Sequence, residues 1–517
     1  MPVSAIDTIA SALQRTVEYL LDTQDESGGW AMLPEPRILE TALSLHTLAT
    51  LQPVGLVSND VGAALSRARR WLTTAAPQEQ HPVATVVEQT LRDIALDQAA
   101  YIDLSHHTFT DAVYSSRQLL LYAVALSARR SVDAGPPPED VRDQIGRRYA
   151  NYARQNLKPW STVELLAVRA LIESFFGDEA AAAEAVGRIK SHQAVDGSFS
   201  QNPISTSMAL LALHVSDPDG VAVRQGCQWL LDAQQPDGTW RFCTCDVWDT
   251  TLVIRALGQH PLFRERALRP ALEFLSGRQN DDGGWGFGGH SQSDSDTTGA
   301  ALLALPTDTQ DKEQIRQAID YLARQQDGNG LWRTWQFDHD PPAQDVVAHV
   351  LAGLDRFSEY HRVPLEPARH WLEAQYRSSV GGWRAGWYHN SPYAQLEVGR
   401  ALGFTHSLVQ DAGRALAASQ NSDGGWGRMA GEQSCASATG LAAAALARCQ
   451  GDGSPTVVAA RAFLIRTQCG DGTWPGVPEM LGPRPLLTHM PIETQAFAVT
   501  GLSSVLSTNS HYQERQT

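Results

Sequence analysis

An all-α protein is what this sequence predicts, on three observations. A seven-residue phrase, Gln-x-x-x-Gly-x-Trp/Phe, recurs from Gln24 to Trp30, Gln193 to Phe199, Gln234 to Trp240, Gln279 to Trp285, Gln326 to Trp332, Gln420 to Trp426 and Gln468 to Trp474. With a longer copy from Gln375 to Trp383, the starts after Gln193 advance by 41, 45, 47, 49, 45 and 48 residues, the mark of a repeat architecture. Good helix formers dominate runs such as Ala180 to Ala185 and Leu441 to Ala447, in a chain that is 43% hydrophobic and 19% charged.

The elements of one repeat follow in order. An Ala/Leu/Arg-rich helical stretch precedes most copies, as in Ala318 to Arg324 and Ala412 to Ser419. The phrase itself reads as a helix C-terminus and tight turn, because glycine costs little where a helix must stop and reverse. A second, more apolar helix comes next, for example Thr297 to Leu305 or Ala436 to Ala447. Each unit is therefore a helical hairpin, and stacked hairpins give either an open superhelix or a closed ring of inner and outer helices. In a ring, the glutamine amide bonds backbone groups at helix ends while the tryptophan packs over it. The repeated Gln, Gly and Trp residues are thus read as scaffold.

A length of 517 residues exceeds what one hydrophobic core serves. The gap between the first two copies holds the break Gly135-Pro-Pro-Pro138 and irregular polar segments. We expect a domain at 25–235 inserted after an N-terminal helix, and a second domain built from 1–24 plus 236–517. The formal charge of -16 argues against nucleic acid or an anionic bilayer as partner, since both require basic surface. No run of 18 apolar residues and no basic-then-apolar leader is present, so the cytoplasm is the expected compartment. Six cysteines suit reduced thiols. Cys243-Thr-Cys245 beside Asp246 has the look of a metal clip, but without a second ligand pair inert thiols are the better reading.

Four segments carry chemistry. The repeated phrase resembles the QW motif of squalene-hopene cyclases and of class II terpene cyclases acting on prenyl diphosphates. Gly283-Gly-Trp-Gly-Phe287 followed by Asp294-Ser-Asp-Thr-Thr298 is similar to that family's Gly-Gly-Trp-x-Phe and Asp-x-Asp-Asp-Thr segments, with Thr297 in place of the third acid. Asp345-Val-Val-Ala-His349-Val resembles the family's Asp-Val-Thr-Ala-His-Val, and Val247-Trp-Asp-Thr250 its Val-Trp-Asp-Thr. In the first half, Ser161-Thr-Val-Glu164 and the stretch from Asp196 to Thr206 are similar to segments of class II diterpene cyclases. The resemblance implies two α/α barrels of the α6-α6 type, the βγ didomain.

It also implies roles. Asp296 falls on the proton donor, His349 on its hydrogen-bonding histidine, and Asp345 on a supporting acid. Protonating an isolated alkene requires an acid held neutral whose conjugate base is stabilised as the proton leaves. Asp294 as a neighbouring carboxylate would keep Asp296 protonated, because two like charges in one dry site cost too much. Thr297, and with it Thr298, would supply hydroxyls, that of Thr297 orienting the proton. The bland alternative is that these four residues merely cap a helix; joined to Phe287, His349 and the repeat register, catalysis outweighs it. Electron-rich faces would steady the cation, with Phe287 first and then Trp248, Trp335, Trp387 and Tyr393, each of which also reads as ordinary core.

No Asp-Asp-x-x-Asp motif for ionising a diphosphate is present, so the diphosphate is expected to survive. Mg²⁺ with Glu88 and Lys158 would meet its charge, Glu88 as the metal ligand. The Asp-x-Asp-Thr-Thr variant resembles bacterial enzymes that cyclise farnesyl diphosphate to a bicyclic drimenyl-type diphosphate. Geranylgeranyl diphosphate giving a copalyl or halimadienyl type is the alternative, and a homodimer is left open. From a different class, a prenyltransferase β-subunit-like barrel would need a zinc triad, and a non-enzymatic repeat scaffold would lack the acid cluster.

Overall fold

In the computed structural model the described residues are 3–51, 58–79, 81–98, 115–128, 142–143, 146–147, 149–150, 158–289, 291–308, 311–335, 340–378 and 382–513. They are almost wholly helical; among them the only strands are the two-residue segments Met480–Leu481 and Leu487–Thr488. The chain divides into two compact units. One comprises Met1–Met32, Thr244–Leu481 and Thr488–Thr517, the other Leu33–Cys243 and Gly482–Leu487. The divisions fall eight residues beyond the expected 24/25 and 235/236. The reason is local: each turn phrase stays with the helix it terminates, the Trp30 indole bonding the Leu20 carbonyl and the Trp240 indole the Leu230 carbonyl.

In the first unit six inner helices contact one another in cyclic order: Asp246–Leu257, Ser295–Ala304, Gln344–Arg356, Ser391–Leu402, Ala436–Gln450 and Pro491–Gln513, the last closing on the first. Six outer helices, Leu268–Gly277, Lys312–Gln325, Glu366–Ser378, Ser407–Ala418, Pro455–Thr467 and the N-terminal Val3–Asp22, back them in the same order. The ring is closed, not an open superhelix. Outer helices such as Lys312–Gln325 bury one stripe, while Ala436–Gln450 is buried on nearly every side. Small residues allow that packing: a Cβ on Gly440 would meet the Phe497 carbonyl oxygen at 2.2 Å. In the second unit Ile38–Leu51, Pro82–Ala95, Ser115–Ser127, Pro159–Phe175 and Pro203–Ser216 also close a ring, so the described residues supply five inner helices there rather than six.

The repeated phrase does what its chemistry suggests. Gln279 Nε2 donates to the Gly283 carbonyl at 2.7 Å and to that of Gln314, in the next outer helix, at 3.0 Å. Gln24, Gln193, Gln234, Gln326, Gln420 and Gln468 make the same pair of bonds, the last reaching Ala12 and so joining the final repeat to the N-terminal helix. The Trp285 indole donates to Leu275 ten residues back, and Trp30, Trp240, Trp332, Trp426 and Trp474 do likewise. Gly283 has φ of +89°, and a Cβ there would meet the Gln317 carbonyl oxygen at 2.4 Å. Gly283→Ala is therefore expected to destabilise the first unit by about 2 kcal/mol or more, read as a lower urea midpoint against the parent; an unchanged midpoint would contradict this account of the turn.

Candidate active site

The Ser295–Ala304 helix begins where the turn after Gln279 ends. Asp294 is its N-cap, with extended backbone and one carboxyl oxygen accepting from Thr297 N at 2.7 Å. Its other oxygen accepts from Thr297 Oγ1 at 3.0 Å. Thr298 Oγ1 donates to the Asp294 carbonyl at 2.7 Å and accepts from Trp285 N at 2.9 Å. Thr250, Thr206, Thr41 and Thr439 accept the corresponding N–H of Trp30, Phe199, Trp240 and Trp426, and Gln495 that of Trp474. Thr298 is thus a scaffold position.

Two residues before each of these acceptors, some 200° around a helix and so facing away from the turn, stands a second equivalent position. In the first unit it is held by Trp248, Asp296, Ser437 and Glu493, and in the second by Leu39 and Ile204. Polar and aromatic groups occupy it in one ring, apolar groups in the other. All six are buried.

Asp296 Oδ1 lies 2.6 Å from Nδ1 of His349, a histidine with no exposed surface on the second turn of Gln344–Arg356. On the far side of the ring, His349 Nε2 is 3.3 Å from the Tyr393 hydroxyl and 3.3 Å from Glu397 Oε2, both on Ser391–Leu402. Glu397 Oε2 also receives Arg255 Nη2 at 2.5 Å, and Arg400 lies 3.4 Å from Oε1. Burial disfavours a charged imidazole, but the Asp296 and Glu397 carboxylates outweigh it and push the His349 pKa up to about 9. Burial likewise works against charge on Glu397, and Arg255, Arg400 and His349 overcome it, holding that carboxyl well below its usual range.

The carboxyl that shares the dry site with Asp296 is Asp345 rather than Asp294. Burial and then the charge of Asp296 push Asp345 up to about 6, against backbone bonds from Gly386 at 2.8 Å and Trp387 at 3.5 Å. Asp294, as the N-cap, turns its oxygens back onto its own helix. For the same reason the Thr297 hydroxyl orients Asp294 and not the Asp296 proton. Of the aromatic candidates, Trp248 meets the His349 ring edge-on at 5.7 Å and donates its indole N–H to the Tyr388 hydroxyl at 2.7 Å. Tyr393 packs 6.0 Å from His349 and 4.4 Å from Tyr388. Trp335 and Trp387 form a T-shaped pair at 5.2 Å, and Trp387 donates to Thr334 Oγ1 at 2.7 Å. The Thr334 carbonyl in turn accepts Ser295 N at 3.1 Å, which ties that pair to the start of the acid helix. Phe287 is partly buried, its carbonyl accepting Trp248 N at 3.1 Å.

Glu88 and Lys158 lie in the second unit and belong to different elements. Glu88, on Pro82–Ala95, accepts Gln78 N at 2.7 Å; burial foremost pushes it up to about 7 despite nearby Arg37. Its acidic neighbour Glu40 is already ion-paired with Arg37. Lys158 is buried at the start of Pro159–Phe175. Among the described residues no group of three or more His, Cys, Asp or Glu is placed to hold a metal, and the cysteines form no disulfides. Nor does any described helix have the length and apolarity to cross a membrane.

Sequence reasoning missed Glu397, Arg255 and Tyr388. A signal existed for Glu397, which sits one helical turn after Tyr393 and is the first charge in Ser-Pro-Tyr-Ala-Gln-Leu-Glu, and for Arg255, the lone charge in Thr-Leu-Val-Ile-Arg-Ala-Leu. Neither shows which residue faces which.

The chain is 29% identical over 334 residues to a drimenyl diphosphate synthase of Streptantibioticus cattleyicolor, covering 58% of this chain and 61% of that one. To a drimenyl diphosphate synthase of Streptomyces showdoensis it is 28% identical over 323 residues, covering 59% and 60%. To a squalene-hopene cyclase of Bradyrhizobium diazoefficiens it is 25% identical over 319 residues, covering 50% and 48%. The chain spans about three fifths of the length of the first two relatives. The model of the squalene-hopene cyclase C-terminal domain matches residues 204–340 and 338–480, more than half of the chain, and includes both Asp296 and His349; the chain belongs to that family.

Proposed function

We propose that this chain is a class II terpene cyclase in which Asp296 protonates the terminal alkene of a prenyl diphosphate. The observation that carries the reading is the buried 2.6 Å contact between Asp296 and His349. For the transfer, one Asp296 oxygen accepts the His349 N–H and the other carries the proton to be given up. As that proton passes to the alkene carbon, the charged imidazole stabilises the carboxylate left behind. Two ring closures consume two further double bonds, and loss of a proton from carbon ends the sequence, so the product is an isomer of the substrate with its diphosphate intact. To the travelling cation we assign the aromatic groups of Trp248, Tyr393, Phe287 and the Trp335/Trp387 pair, each worth about 0.5–2 kcal/mol where its face meets the charge.

Within that class the substrate is farnesyl diphosphate and the product a bicyclic drimenyl-type diphosphate. Similarity to the two drimenyl diphosphate synthases and the Asp-x-Asp-Thr-Thr segment support this choice. Mg²⁺ enters only as the counter-ion that accompanies a diphosphate, and no residue is assigned to it. The test is incubation with farnesyl diphosphate, geranylgeranyl diphosphate and squalene, with and without Mg²⁺, followed by dephosphorylation and product identification. The expected result is a bicyclic C15 alcohol, Mg²⁺-dependent, with the highest kcat/KM for farnesyl diphosphate. A higher value for the C20 substrate overturns the drimenyl assignment and leaves the class; no cyclised product from any of the three overturns the class.

A further inference from the structure

His349 has an acceptor at each ring nitrogen. Asp296 takes Nδ1, and at Nε2 two groups compete at equal distance, the Tyr393 hydroxyl and Glu397 Oε2, each 3.3 Å away. They call for opposite states of Nε2. A bare nitrogen would accept the Tyr393 O–H and leave the ring neutral; a protonated one would donate to the Glu397 carboxylate and leave the ring charged. The surroundings of Glu397 decide. Its carboxylate lies between Arg255 and Arg400, with Arg448 contributing from the adjacent Ala436–Gln450 helix. The Nε and Nη1 atoms of Arg255 have no other partner, so this guanidinium, 5% exposed at its side chain, is devoted to Glu397. An ionised Glu397 held at Nε2 selects the charged ring.

Resting on the proposed cyclase reading, we propose that Glu397 is a positioning residue for the proton transfer: fixed by Arg255, it holds the Nε2 proton of His349, so that the imidazole faces Asp296 as a standing cation before any substrate arrives. A preformed cation costs no reorganisation at the moment Asp296 gives up its proton, which is where electrostatic catalysis gains most. The charged and titratable groups that face His349 or its partner are Asp296, Asp345, Tyr393, Glu397, Arg255, Arg400 and Arg448. Of these only Glu397 meets Nε2 with a negative charge, and the His349 pKa, raised to about 9 first by Asp296 and then by Glu397, agrees with a charged ring.

The test reads the ring directly. In the full chain labelled with ¹⁵N-histidine and assigned with His349→Gln, the Nε2 shift reports whether that nitrogen carries a proton. We expect the parent to show both nitrogens protonated at pH 7.5. In Glu397→Gln the His349 midpoint should fall by at least about one pH unit, with kcat lowered about 10–100-fold and KM changed less than about 3-fold; Glu397→Asp should restore most of the midpoint. Because Glu397→Gln strands a buried arginine, Glu397→Gln with Arg255→Met carries the same test should the single variant not fold. An Nε2 that stays protonated with an unmoved midpoint in the folded variant overturns the proposal, whatever the loss in rate. The ring measurement needs no substrate, so its outcome is separate from that of the cyclase reading, which stands or falls on product formation by the parent.

Discussion

Asp296→Asn is expected to lower turnover of farnesyl diphosphate by about 10³-fold or more while leaving the fold intact. The asparagine carbonyl can still accept the N–H that His349 directs at Asp296, so the buried contact at 2.6 Å keeps a partner and the ring of inner helices keeps its packing. What is lost is the acidic proton: an amide N–H cannot be transferred to an alkene. The measurement is single-turnover product formation together with far-UV CD melting of both proteins. A variant within tenfold of the parent rate would remove Asp296 as the acid. A variant that melts much lower would show the side chain to be structural first.

The second large effect concerns His349. His349→Gln is expected to lower kcat by about 10²-fold, since glutamine donates to Asp296 without bringing a charge. The parent and the variant should also differ with pH. In the folded chain His349 holds its proton to about 9, against 6.5 for the free side chain, so the native state binds that proton more tightly than the unfolded state. The resulting stabilisation is complete below pH 6.5 and is lost as the pH rises to about 9. Thermal melts of the parent should therefore fall between pH 6.5 and 9, and its kcat should fall on the alkaline side as the charge is removed. The variant should lack the histidine component of both. A parent whose melting temperature is flat across that interval would rule out a charged His349.

Much of the fold was legible because the repeat is written in residue types that do one physical job each. Gln279, Gly283 and Trp285 announce a bonded turn, and the spacing of their copies announces hairpins. Ring closure was not legible, since it depends on Gln468 reaching Ala12 across 456 positions of sequence, a fact of curvature and not of pattern. In the site, Asp296 and His349 could be paired by resemblance, and their contact is short. The division of labour around them could not. Asp294 and Thr297 are three positions apart and bond each other, as a cap and its helix start do, whereas Asp345 reaches the same dry site from another helix. Glu397 lies 142 residues from the arginine that fixes it, and no local property of either residue signals the pairing.

The two registers at the start of the inner helices divide two jobs between them. One register, Thr250, Thr298, Thr439 and Gln495, receives the turn and holds the ring together. The other, two residues earlier, carries Trp248, Asp296, Ser437 and Glu493, and these do not accept the backbone N–H of the turn tryptophan. Stability and chemistry are thereby written on opposite sides of the same helical turn. A substitution on the second register leaves in place the bond between an indole-bearing turn and the acceptor on its inner helix. The ring thus keeps its frame on one register and, on the proposed reading, carries its acid, Asp296, on the other.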